Sequence, residues 1–283
     1  MLDFEIVDAH LHLWDPKNLR YPWLDGNDFL NRAFALEDYN RDCGGVEVGK
    51  IVFMECACEQ SSNMDEVAWV TNLAKKDRRI RGIVASAPLE MGGSVEETLA
   101  ILNRNDLVKG IRRTINFESD KAPGLLNNFI AGVNLLPRYG FSLDILIGWR
   151  DNRNLVRLLE KIPETPCILD HIGNPDVTNG VLEPWRSEIK EIAAFPNIVC
   201  KVSSLTTGPN RQLRTAEQLR PFTDCIFENF GFDRTVFAGD WPVSAQTASF
   251  PVCVETLLEL VDGAPRENLL KLFKENAEKF YRV

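Results

Sequence analysis

Of the three histidines in 283 residues, His10 and His12 stand two apart in Val7-Asp8-Ala9-His10-Leu11-His12-Leu13-Trp14. Residues i and i+2 of an extended strand point to one face, so the two imidazoles share a side. Such a pair can hold a divalent metal or bind a substrate oxygen. His171 lies in Leu169-Asp170-His171-Ile172-Gly173-Asn174-Pro175, where turn formers after an apolar run fix its place. Asp240 follows another apolar run and precedes Trp241-Pro242. An acid in such partly apolar surroundings suits a general base or a metal ligand. Arg112 and Arg113 are adjacent. Only one of them can face inward from a strand, and a planar guanidinium suits a carboxylate or a polarised carbonyl. Glu55 sits among apolar residues, where a carboxylate needs a partner: a metal, an arginine or a substrate hydroxyl. Lys201 either points inward or snorkels outward.

These residues need elements to position them. Eight β-rich runs recur, at residues 4–9, 50–58, 80–87, 107–115, 140–147, 166–170, 197–203 and 234–238. Several are apolar throughout, as expected for strands covered on both faces. Amphipathic helical segments are expected at 65–76, 95–103, 127–139, 152–162, 183–195, 216–230, 253–261 and 267–280. A strand–helix alternation of this length predicts an α/β fold, a (β/α)8 TIM-like barrel forming a single domain over residues 1–283. A doubly wound open sheet is the alternative, and no G-x-G-x-x-G follows an early strand to support a dinucleotide site there. In a barrel the site lies at the C-terminal strand ends. All three histidines, Asp240, the arginine pair and Trp149 fall at such ends. A long aromatic loop, about residues 13–49, follows strand one and is expected over the barrel mouth.

Composition narrows the class. Net charge is −9, with 32 basic and 41 acidic residues and no long basic run, so nucleic acid and anionic membrane are not expected partners. The odd count of seven cysteines, several inside apolar runs, reads as reduced buried thiols in a cytoplasmic protein. No signal peptide or membrane-spanning run is apparent.

Together the motifs resemble the amidohydrolase superfamily and, within it, the amidohydrolase-2 group of sugar lactonases. The carriers are the stretch from Asp8 to Pro16, Gly110-Ile111-Arg112-Arg113, Leu169 to Pro175, Lys201-Val202-Ser203, Gly239-Asp240-Trp241-Pro242 and Asn276 to Arg282. The resemblance spans nearly the whole chain and looks closest to fucono- and rhamnonolactonases. It implies a barrel hydrolase that opens a sugar-acid lactone, with Asp240 as base and His171 placing the water or the oxyanion. Arg112 or Arg113, Glu55, Trp14, Trp149 and Trp241 would bind substrate. His10, His12 and Asp240 would hold one divalent ion, zinc first among candidates, or His10 and His12 would bind the lactone carbonyl with no metal. Superfamily metal sites usually add a strand-five histidine, and binuclear ones a strand-four lysine. Trp149 and Arg112 or Arg113 stand there instead, which argues against a binuclear centre. A metal-dependent decarboxylase of an aromatic or unsaturated acid is the alternative enzyme, and a non-catalytic sugar-acid binder the alternative outside enzymes. The sequence leaves a homo-oligomer open.

Overall fold

The computed structural model describes residues 2–114, 123–207 and 212–283. Eight strands lie in chain order in one parallel sheet: β1 (Ile6–Leu11), β2 (Val48–Met54), β3 (Ile80–Ser86), β4 (Val108–Arg112), β5 (Ser142–Ile145), β6 (Cys167–Leu169), β7 (Ile198–Val202) and β8 (Thr235–Phe237). Past β8 the chain returns to β1. The Asp240 amide donates to the His10 carbonyl at 2.9 Å and the His12 amide to the Trp241 carbonyl at 2.8 Å, which brings the sheet round into a barrel. Within the connections lie α1 (Leu36–Asp42), α2 (Asn63–Lys76), α3 (Glu96–Leu102), α4 (Pro123–Val133), α5 (Asn152–Leu159), α6 (Trp185–Ala193) and α7 (Ala216–Phe230), followed by α8 (Phe250–Leu260), α9 (Arg266–Leu270) and α10 (Asn276–Tyr281). The expected (β/α)8 barrel is therefore the fold, and the open sheet is not.

The strands are short and almost wholly buried because helices cover the outside while side chains fill the inside. An inner cluster of Val7, Ala9, Val52, Met54, Val84, Ile168, Val236 and Ala238 is joined by Ala277 and Tyr281 of the last helix. Local chemistry sets several boundaries. Thr215 and Gln218 close a capping box at the start of α7, where the sequence pattern placed it. The expected closing helix at 267–280 is split, since a π-helical turn at Lys271–Glu275 separates α9 from α10. α1 was not expected, because it hides inside the aromatic segment. There the Trp14 indole donates to the Leu30 and Arg32 carbonyls, and Phe34 packs edge-on against both Trp14 and Trp241. Residue 115 of the fourth expected strand lies outside the described residues.

Candidate active site

The path of β1 decides where the histidines point. Its register against β2 shifts between Asp8 and Leu11. Before the shift, Val7 and Ala9 join the inner cluster, while the Asp8 carboxylate faces outward, accepting from the Tyr39 hydroxyl of α1 and the Gly239 amide, each at 2.8 Å. Beyond it, His10 and His12 both meet the barrel interior, with their Nε2 atoms 3.0 Å apart. A bulge re-aims side chains in this way.

Asp240 closes the group from the opposite side of the seam. Its Oδ1 lies 3.6 Å from His10 Nε2, 3.7 Å from His12 Nε2 and 3.9 Å from His171 Nε2. The three imidazoles and the carboxylate thus surround one small volume. Several residues here hold positive φ without being glycine: His171 (55°), Ile172 (50°), Ser204 (54°) and Asp240 (55°). They directly follow β6, β7 and β8. Such backbone is uncommon for side chains with a Cβ and gathers at functional sites.

Around this centre is a buried charged frame. Arg112 faces inward: its Nε donates to Glu55 Oε1 at 2.7 Å, its Nη2 to the Glu55 carbonyl at 2.6 Å, and its Nη1 stands 3.4 Å from His10 Nε2. Glu55 therefore has an arginine partner, and the Ala57 amide donates to its Oε2. Arg113 turns the other way and pairs with Glu90 at the half-exposed edge, outside the cluster. The alternation of the strand separates the two. Lys201 is wholly buried, its Nζ 2.7 Å from Asp144 Oδ2, 2.9 Å from Asp170 Oδ1 and 3.2 Å from His10 Nδ1. The Tyr281 hydroxyl donates to the same Asp144 oxygen. His171 Nδ1 meets the Ser203 hydroxyl at 2.8 Å. Trp14 and Trp241 are buried, 1% and 2% exposed, and each packs edge-on against Phe34. Trp149 is half-buried and stacks under the Arg150 guanidinium. A cavity of about 300 Å³ adjoins the cluster, bounded among others by His171, Asn174, Ser203, Ser204, Thr207 and Arg214.

Lys201, Asp144, Asp170 and Tyr281 are the residues that sequence reasoning left without a role. The available signal was a lysine and two aspartates inside otherwise apolar strands. Charges there need partners.

The electrostatics follow from burial. Desolvation, with Lys201 beside His10 and Arg112 beside His12, holds both imidazoles well below their ordinary value, so both are neutral. Burial pushes Asp240 up, opposed by His171 and Arg112. Burial alone would also raise Asp170, but Lys201 and His10 outweigh it and hold that carboxyl well below the usual range.

Among the described residues two groups, His10–His12–Asp240 and His10–Asp170–His171, bring donor atoms close enough for one metal ion. For the first, the spacings of 3.0, 3.6 and 3.7 Å leave a point about 2.0 Å from all three atoms, which is a zinc–ligand bond length. The spacing fits a single ion. Such an ion would need both Nε2 atoms bare, and the other nitrogen of His10, Nδ1, stands 3.2 Å from Lys201 Nζ.

Comparison with known proteins agrees with this architecture. The amidohydrolase family model Amidohydro_2 matches residues 7–283. An L-fucono-1,5-lactonase of Burkholderia multivorans is 27% identical, covering 86% of this chain and 84% of its own length. An L-rhamnono-gamma-lactonase of Scheffersomyces stipitis is 24% identical over the full length of both. A Burkholderia multivorans amidohydrolase crystallised with bound zinc superposes with a TM-score of 0.85 at 23% identity, over 99% of this chain and 100% of that one.

Proposed function

The chain belongs to the amidohydrolase family, and from that premise we propose that it is a lactonase, opening a sugar-acid lactone to its hydroxy acid by attack of water on the lactone carbonyl. One observation carries the reading: three imidazole nitrogens stand within 3.9 Å of one buried carboxylate oxygen, Asp240 Oδ1, at the mouth of the barrel. Relatives named as fucono- and rhamnonolactonases support the substrate class. The adjoining cavity supports it too, since hydroxyls, an amide and a guanidinium among its walls suit a small polyhydroxylated ring.

Asp240 takes a proton from the attacking water, and its raised affinity for protons suits a base that must later give one back. His171, held through Nδ1 by Ser203, orients that water with Nε2. His10 Nε2 and Arg112 Nη1, 3.4 Å apart, face the carbonyl oxygen and stabilise the charge that grows on it. When the tetrahedral intermediate collapses, the carbon–ring-oxygen bond breaks and the proton held by Asp240 passes to the ring oxygen. Bound at His10, His12 and Asp240, a zinc ion would supply Lewis-acid polarisation of the same carbonyl. A neutral His10 with its proton on Nε2 would oppose that mode, and the proton transfers from water to Asp240 and on to the ring oxygen use only side chains.

The test is a pH-indicator screen over sugar-acid lactones with wild type and Asp240→Asn. The proposal expects acid release from at least one lactone and its loss in the variant. No release from any lactone overturns it, and carbon dioxide release from an unsaturated acid would identify a decarboxylase.

A further inference from the structure

We propose that Lys201 fixes His10 as the tautomer protonated on Nε2, and so turns the His10–His12 pair away from metal ligation and toward an oxygen of the substrate. The inference deepens the lactonase reading, but neither of its tests involves a lactone.

Two contacts set the proton independently. From one end, His12 Nδ1 lies 2.9 Å from the Met54 carbonyl. A carbonyl only accepts, so His12 carries its proton on Nδ1 and its Nε2 is bare. That bare nitrogen is 3.0 Å from His10 Nε2, which must therefore be the donor. From the other end, His10 Nδ1 faces the Lys201 ammonium at 3.2 Å, and an ammonium only donates, so Nδ1 is the acceptor. The acceptor nearest to Nδ1, Asp170 Oδ1, is 3.6 Å away, too far for a hydrogen bond. A proton on Nδ1 would point at the ammonium and set two bare Nε2 atoms against each other.

Lys201 cannot readily swing aside. It is fully buried and bound to Asp144 and Asp170, and Asp144 is in turn held by the Tyr281 hydroxyl of α10. A zinc ion at the point between His10, His12 and Asp240 needs both Nε2 atoms bare, so it would drive the His10 proton onto the side that Lys201 occupies. The same constraint has a productive side. With the proton on Nε2, His10 Nε2–H and Arg112 Nη1–H face each other as donors across 3.4 Å, so an oxygen seated between them would accept from Arg112 and draw the Nε2–H away from His12 Nε2. Lys201 is thus a positioning residue acting through His10.

Long-range proton–nitrogen NMR of the wild-type histidines, assigned with single His→Gln variants, reads the tautomer directly. His10 should show a protonated Nε2 and a bare Nδ1. Zinc affinity, measured by competition with a chromogenic chelator, should rise on the order of tenfold or more in Lys201→Met, the size of effect outer partners have on ligand histidines. A proton on His10 Nδ1 in wild type, or a folded Lys201→Met with wild-type zinc affinity, would overturn the proposal. Should that variant not fold, the wild-type spectrum alone decides. A failed lactone screen with the expected tautomer and zinc shift would overturn the lactonase reading and leave this inference standing.

Discussion

Asp240 draws its character from burial, which outweighs the opposing pull of His171 and Arg112 and raises its affinity for protons. Loss of its carboxylate should therefore act on turnover: Asp240→Asn is expected to lower kcat by about 10²–10⁴-fold with little change in KM, read by steady-state lactone hydrolysis. The sign of the pH effect follows from its raised proton affinity. The base works only when ionised, so activity is present above that raised value and lost as pH falls through it. A pH profile of kcat/KM should show an acid limb above that of an exposed carboxylate, which Asp240→Asn removes. The two arginines should separate cleanly. Arg112→Met leaves Glu55 buried without its partner and should cost about 3–5 kcal/mol in denaturant unfolding. Arg113→Met breaks a pair about one-third exposed and should cost about 1 kcal/mol or less, with activity kept. From sequence, the pair Arg112–Arg113 showed that one must face inward. Only the Glu55 contact shows which.

The strands were legible as short β-rich runs alternating with amphipathic segments, and barrel topology gives their C-terminal ends a common face. The bulge in β1 was not. The spacing of His10 and His12 implies a shared face but not which face, and a regular strand would have carried Asp8 to the same side as the histidines. The register shift puts Asp8 under Tyr39 and Gly239 instead. The extent of α7 was legible from its amphipathic pattern over 216–230, and the capping box of Thr215 and Gln218 accounts for its start. The break between α9 and α10 was not, since the amphipathic pattern runs across it. Gly239 sits at the seam between these elements. A Cβ there would lie 2.5 Å from Phe250 Cε2 and 2.8 Å from Asp8 Oδ2. Gly239→Ala should therefore destabilise the fold by about 1–3 kcal/mol. It should also lower the activity of the folded fraction by moving Asp240, as thermal unfolding and activity measured on one preparation would show.

For the whole molecule, the barrel interior is half apolar cluster and half buried charge. That division was visible only as odd residues, Lys201 and Asp144, in apolar strands, because pairing across a barrel is not encoded by sequence distance. The seven cysteines are all free, as their number and setting implied, and no helix of the described residues is long and apolar enough to cross a membrane. Burial, with Glu55 nearby, pushes Glu66 from 4.5 up to about 8. Its contribution to stability is then complete below about pH 4.5 and is lost as pH rises to about 8, because the folded protein holds a proton that the unfolded chain releases. Glu66→Gln should flatten the decline of melting temperature across that window. The central claim, that this barrel opens lactones with its own side chains, is tested most directly by hydrolysis of a sugar-acid lactone panel. Wild type and Asp240→Asn would be compared after chelation, with metal content measured on the same samples. The account predicts wild-type hydrolysis of at least one lactone at a rate that chelation leaves unchanged, and its collapse in the variant. Hydrolysis of no lactone above the buffer rate, or full activity in Asp240→Asn, would contradict it.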